Sequence, residues 1–353
     1  PIDETKEDLN SDIDVTLTAE PKQPGEETNG GSTSVSSNET RPYLPTGFTQ
    51  VKGTTLKNGL TIQDSTGNQY VWVEVPKAER VYKTAGLEIK DFTDEEYTAI
   101  ETDLHTYTDV YRDGTSYKDE YYSEVGLTND QYTNLKKTML KSVYQNGGFY
   151  IGKYETGIEN KPKTSGSADT APTETPVIKR NAYPYNYVTC SQAQTLASGM
   201  VKSENYTSSL MFGVQWDLVL KYLETKGTAQ ADLKKDSTSW GNYSNNLWNI
   251  TNAKSKYAPN GSGWTNGAYG AKGSSKSILL STGASDTFSK QGIYDLAGNV
   301  WEWTLEKTSY SNSPCASRGG GCGYGGNGDP AAYRSYDSTT DFYNSVGFRV
   351  VLY

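Results

Sequence analysis

The chain has 353 residues, enough for one large domain or two smaller ones, and a low apolar fraction of 34% beside 28 tyrosines. A formal charge of −9 with no block of Lys or Arg argues against nucleic acid and anionic membrane surfaces as partners. One histidine, His105, and three cysteines without a CxxC pair exclude a zinc centre, and no apolar run is long enough to span a membrane.

Pro1 to Pro42 is acidic, then rich in Gly, Ser, Thr, Asn and Pro, without a consistent apolar period. It reads as a flexible stalk or linker, or equally as a tail without a role, with a short strand over Ile13 to Leu17. Residues 43–353 are expected to form one domain. Leu60 to Gln63 and Tyr70 to Val75 alternate as two strands of a hairpin across Asp64-Ser65-Thr66-Gly67-Asn68, and Pro76 ends the second. Phe92 to Asp113 is a predicted helix: Thr93 and Glu96 make a capping box, and Tyr97, Ile100, Leu104, Tyr107 and Tyr111 share a stripe. His105 lies beside that stripe and is expected in solvent rather than at a catalytic centre. A second helix runs from Asn129 to Gln145, capped by Thr128 and Gln131, with Tyr132, Leu135, Met139 and Val143 on its face and Gly147 as its stop. Residues 92–145 thus read as a helical insertion beside the core.

Gly148 to Glu155 is a predicted strand, and Asn160 to Pro176 a loop. Helices are expected over Thr189 to Val201, with Gln192 completing the cap of Thr189, and over Met211 to Leu223. Asp236 to Ser277 is a long stretch of Asn, Ser, Gly, Trp and Tyr, functional or ornamental. Its Gly267-x-x-Gly270-x-Lys272-Gly273 is no phosphate loop, because Lys precedes the closing Gly and no strand feeds it. Ile278 to Leu280, Ile293 to Trp303 and Gly347 to Leu352 read as core. Between the last two, Gly321 to Ser345 has hardly an aliphatic side chain and is expected on the outside. Tyrosine gives such a surface rigid contact area, and Ser, Gly and Asn give it adaptable hydrogen bonds. Cys315 and Cys322 form a disulfide or remain two separate thiols. Gly325-Gly326-Asn327-Gly328-Asp329 resembles a calcium-binding glycine repeat but occurs once with its Asp one position short, so no cofactor is expected, calcium on loop carboxylates being the alternative.

Several of these pieces carry a family resemblance. Gly298-Asn299-Val300-Trp301-Glu302-Trp303, Arg318-Gly319-Gly320 and Gly347-Phe348-Arg349, with Gly148 to Glu155 upstream and Gln215-Trp216 between, resemble the formylglycine-generating-enzyme branch of the C-type lectin fold. The resemblance covers roughly Pro45 to Tyr353. It implies an α+β domain with a small twisted antiparallel sheet and two flanking helices. Trp301 and Trp303 would fill the core, Glu302 would fix a loop, and Arg318 and Arg349 would tie down the segment between them by pairing with carboxylates or carbonyls. The enzymes of this branch hold copper with two thiolates to oxidise a substrate cysteine. Carried over by position, those thiols fall on Tyr324 and Asp329, and Cys322 lies upstream of both. Tyr and Asp do not replace soft thiolate ligands.

The same lectin-type group contains the variable proteins of diversity-generating retroelements, in which adenines of a template repeat are randomised. Asn codons rewritten in this way never yield Lys, Glu, Gln, Met or Trp. Residues 318–353 contain none of those types, although Lys and Glu are common elsewhere in the chain. The resemblance therefore implies a binding protein without enzymatic activity, with 318–353 as its variable region. Its contact residues would be Tyr324, Asn327, Asp329, Tyr333, Ser335, Tyr336, Asp337, Asp341, Tyr343 and Asn344. The partner would be a macromolecule, protein or glycan. The expected setting is extracellular or cell-surface, with an anchor outside this chain, or a phage particle. A copper oxidoreductase and an unvarying lectin-like module are the alternatives.

Overall fold

A computed structural model describes residues 39–112, 116–201, 203 and 205–353. The strand expected over Ile13 to Leu17 and most of the expected stalk lie outside the described residues. Glu39 to Arg41, placed in the stalk by composition, are docked on the domain. Thr40 donates to the Gly147 carbonyl at 3.0 Å and accepts from the Trp72 indole at 2.9 Å. Gly147 itself turns at φ +66°, and a Cβ there would lie 2.1 Å from the Glu39 carbonyl. Only glycine lets helix and docked segment meet so closely.

The expected hairpin forms with Thr61 opposite Val71, and Asp64 closes its turn by accepting from the Thr66 and Asn68 N–H groups at 2.9 Å each. It enters a six-stranded sheet ordered Thr49–Gln50, Thr61–Gln63, Gln69–Glu74, Gly148–Gly152, Val350–Leu352, Ser208–Leu210. Gly148–Gly152 and Val350–Leu352 are buried throughout, which is why they read as unbroken apolar or small runs. The last strand of the chain thus sits inside the sheet, not at its edge.

A second sheet is built around Trp301–Thr308. Cys315–Arg318 pairs with it antiparallel and carries Arg334–Asp337 on its outer side, while Val346–Phe348 lies on the other flank. The Val346–Phe348 pairing is parallel, where an antiparallel sheet was expected. The reason is topological. The chain leaves Arg334–Asp337 at one edge, crosses over through residues 338–345, and re-enters beyond Trp301–Thr308 in the same direction.

Among the described residues five α-helices fit around these sheets, four of them longer than two turns: α1 (Asp94–Tyr107), α2 (Asn129–Asn146), α3 (Cys190–Ser198) and α4 (Gly213–Thr225), followed by the short α5 (Gln230–Lys234). The three capping boxes read from the sequence form at α1, α2 and α3. α1 is shorter than expected and gives way to a 3-10 turn at Asp109–Tyr111. The start of α4 takes its anion from afar: Asp119 accepts from the N–H groups of Gly213 at 2.6 Å and Val214 at 2.9 Å. The helical insertion therefore completes the core rather than standing beside it. His105 is half-buried rather than free in solvent. Its Nε2 lies 3.7 Å from Glu101, which also accepts from Lys136 at 2.9 Å, because α1 lays this flank against α2.

Buried charge pins the second sheet. Arg318 pairs with Asp217 at 2.8 Å, Arg334 pairs with Asp217 at 2.6 Å and with Glu306 at 3.0 Å, and all four side chains are buried. Arg334 also donates to the Tyr111 carbonyl at 2.7 Å, and Arg318 lies 5.4 Å from the Trp216 ring. Arg349 pairs with Glu302 at 2.6 Å and donates to the Gly152 and Tyr294 carbonyls. Arg318 and Arg349 act as expected, but Glu302 serves Arg349 rather than a loop. The loop at Asn299–Val300 is held by Glu155, which accepts from both residues.

Cys315 meets Cys190, not Cys322: the two sulfurs are 2.6 Å apart where the start of α3 backs the Cys315–Arg318 strand. Cys322 packs in a separate small core with Ala258, Leu279 and Val300.

Mild oxidation should therefore join Cys190 to Cys315 and leave Cys322 as the free thiol by peptide mapping; a Cys315–Cys322 peptide would contradict this packing. Arg334→Ala should cost about 3–5 kcal/mol in urea unfolding, since two buried carboxylates lose their shared cation. Tyr336→Ala, two positions along the same strand, should cost less than about 1 kcal/mol.

Candidate functional site

Residues 319–345 leave the core at Arg318 and return to it at Val346. Gly319 and Gly320 make the exit at φ +90° and +79°. A Cβ on Gly319 would sit 2.9 Å from the Leu296 carbonyl, and one on Gly320 would sit 2.4 Å from the Asp329 carbonyl. The Arg-Gly-Gly motif is thus a sharp turn pressed between core and segment.

The segment is not simply external. Cys322, Pro330, Ala331, Ala332 and Arg334 are buried, whereas composition alone placed the whole run outside. Its inner side is held by backbone contacts: Ala331 N–H donates to Ser237 Oγ at 2.9 Å, and Ala332 N–H donates to the Leu233 carbonyl at 3.0 Å. The long 236–277 stretch supplies more of this bed. Ser244 donates to the Tyr324 carbonyl, Asn245 to Asn327, and Gly326 N–H donates back to Asn245. Lys272 is buried beneath, its ammonium shared by the carbonyls of Tyr243, Ser244 and Lys276. Burial lowers its pKa to about 8.

Each of the ten side chains singled out from the sequence reaches solvent. Tyr324, Tyr333, Tyr336 and Tyr343 are 48%, 43%, 45% and 44% exposed, and Asn327 is exposed. Asp329, Ser335, Asp337, Asp341 and Asn344 are half-buried. Ser335, Tyr336 and Asp337 share the edge strand, opposite Ser317, Ala316 and Cys315. The structure adds Tyr310, whose ring lies 4.3 Å from that of Tyr336. It also adds Trp301, expected in the core. Both tryptophans are buried in the core as expected; the Trp303 indole bonds to the Val188 carbonyl, while Trp301 lies at the core's edge directly under the face and meets Tyr324 edge-on at 5.5 Å and Tyr333 at 5.8 Å. The alternation of Trp-Glu-Trp puts both tryptophans on one side of the strand, so only their position along it tells them apart.

Here the surface opens into a cleft of 280 Å³. Trp301, Tyr324, Tyr343 and Val346 line it with rings and carbon; Ser335, Asp337 and Ser345 line it with oxygen. Asp337 is pushed up to about 6 by burial and then by the neighbouring Asp341. Burial likewise raises Asp329 and, with Asp341 and Asp337, the Tyr343 phenol. A second cleft, of 330 Å³, lies between Ile158–Lys161 and Thr173–Val177 and has no aromatic lining.

Copper chemistry does not fit this site. Tyr324 and Asp329 stand where the two thiolates would be needed, and burial pushes the Cys322 thiol up to about 11, away from the thiolate a soft metal requires. Asp329 brings a single carboxylate to the Gly325–Asp329 loop. Among the described residues, the group of acidic and imidazole side chains close enough to share a cation is Glu101, His105 and Asp119, where Lys136 and the start of α4 already take the carboxylates.

Among the described residues no helix is long and apolar enough to cross a membrane. No curated protein matches the chain. Among solved structures, Treponema denticola variable protein 1 is similar over 58% of this chain and 84% of its own, at 13% identity and a TM-score of 0.31. The model of the sulfatase-modifying factor enzyme 1-like domain matches residues 121–353, a span that takes in Gly298–Trp303, the Arg-Gly-Gly exit and the closing Gly347-Phe348-Arg349. The chain therefore belongs to the sulfatase-modifying factor enzyme 1-like family, with the α+β C-type lectin-type fold of its formylglycine-generating-enzyme-like branch.

Proposed function

We propose that this protein is a ligand-binding surface protein, not an enzyme, and that residues 318–353 are a recognition face diversified by a retroelement. The observation that carries the reading is a division of labour within one segment. Arg318, Arg334, Arg349 and Cys322 point inward and are committed, while the ten candidate contact side chains reach solvent and leave the inner packing to others. Such a face can be rewritten without disturbing the fold. The absence of Lys, Glu, Gln, Met and Trp from 318–353 agrees with rewriting at Asn codons. The exposed tyrosines supply the anchors, since aromatic side chains dominate binding hot spots. The ligand is a macromolecule, protein or glycan, met outside the cell or at its surface.

DNA downstream of the gene should carry a near-copy of the sequence for residues 318–353, differing at adenines and lying beside a reverse-transcriptase gene. Finding neither would leave an unvarying binding module as the better reading. Replacing Tyr333, Tyr336 and Tyr343 together by Ala should abolish ligand binding and leave the melting temperature nearly unchanged; a large loss of stability would place those rings in the core.

A further inference from the structure

We infer that the cleft bounded by Trp301, Tyr324, Tyr343 and Asp337 takes a cationic side chain, an arginine or lysine presented by a protein ligand. This rests on the reading of residues 318–353 as a binding face and specifies what the present copy of that face recognises.

Three observations converge on it. The first is the aromatic lining. Trp301 and Tyr324 meet at an interplanar angle of 80°, with Tyr343 beside the same cleft, and ring faces of this kind attract a cation through their quadrupoles. The second is an uncompensated carboxylate. Among the described residues no hydrogen bond or ion pair reaches the Asp337 side chain, and the charge acting on it is that of Asp341, of the same sign. A partly desolvated carboxylate without a partner is costly to keep, and an incoming guanidinium or ammonium removes the cost. The third is the charge of the segment itself. Its three arginines are all buried in ion pairs, so its surface carries Asp329, Asp337 and Asp341 with no cation to offset them.

Ser335 and Ser345 complete the lining with hydroxyl acceptors for the N–H groups of such a side chain. A neutral sugar would stack on the rings equally well but would leave Asp337 unpaired. Beside the cleft, Tyr333 packs on Trp301 at 5.8 Å and extends the aromatic surface, which suits a protein loop with the cation at its tip.

The test uses N-acetyl-arginine amide and its neutral isostere N-acetyl-citrulline amide, titrated into the 15N-labelled chain while the indole N–H signals are followed. Saturable shifts with a Kd of about 1–10 mM are expected for arginine, and at least about tenfold weaker binding for citrulline. Asp337→Asn should weaken arginine binding about tenfold with no fall in melting temperature. Equal response to both amides, or no saturation by about 50 mM, overturns the inference. Panning random displayed peptides against the wild-type chain and the Tyr333, Tyr336 and Tyr343 triple variant separates this from the broader reading. Tyrosine-dependent peptides sharing an Arg or Lys support it. Tyrosine-dependent peptides lacking one overturn the cation while the binding face stands. Enrichment indifferent to the tyrosines overturns both.

Discussion

Two buried carboxylates, Asp217 on α4 and Glu306 on the strand Trp301–Thr308, are shared by two arginines from the C-terminal segment. Taking four charges out of water is expensive, and such a cluster often adds little net stability over well-packed hydrocarbon. What it imposes here is position. Arg318 and Arg334 are directly opposite each other in the strand pair, so both must reach the same acids for either to be satisfied. A slip of one residue would turn Arg334 outward and leave Asp217 and Glu306 buried without their full complement. The register of an edge strand, ordinarily the least determined in a sheet, is thereby fixed from inside.

Much of the chain serves that arrangement. The Tyr111 carbonyl accepts from the Arg334 guanidinium and the Tyr117 hydroxyl donates to the Arg334 carbonyl, so the helical insertion reaches the same centre. Asp119 caps α4, the helix that carries Asp217, and Tyr132 bonds to the Leu305 carbonyl next to Glu306. On the far side, Arg349 and Glu302 lock the return strand to the six-stranded sheet through the Gly152 carbonyl. Supported at both ends and beneath, residues 319–345 hold their shape with few demands on the side chains that face water. This is the condition a recognition surface needs if its chemistry is to change while its scaffold does not.

How far the sequence revealed this depended on range. Local signals read well: the three capping boxes, the Asp64 turn and the Gly147 stop all follow from chemistry within a few residues. Motif spacing carried the family and placed the exit and return of the segment. Long-range pairing did not read. Arg334 sits among polar residues and looks like surface, and only its distant partners Asp217 and Glu306 make it core. Cys190 finds Cys315 from 125 residues away, a separation no spacing rule connects. His105, expected in solvent, is half-buried, and Trp301, buried as expected, also underlies the face; a stripe or an alternation gives a side but not the neighbour packed against it. The 236–277 stretch, featureless as a sequence, is the bed of the site because its backbone amides and its short Ser and Asn side chains together hold residues that lie far along the chain.

The central claim is that inward-facing charge, and not the outward-facing side chains, determines this surface. Its most direct test is a library that randomises Tyr324, Asn327, Asp329, Tyr333, Ser335, Tyr336, Asp337, Asp341, Tyr343 and Asn344 together, with Arg318, Arg334, Arg349, Asp217, Glu302 and Glu306 kept, scored by thermal unfolding of individual members. The account predicts that most members fold cooperatively and melt within a few degrees of the parent. Widespread loss of folding across that library would contradict it.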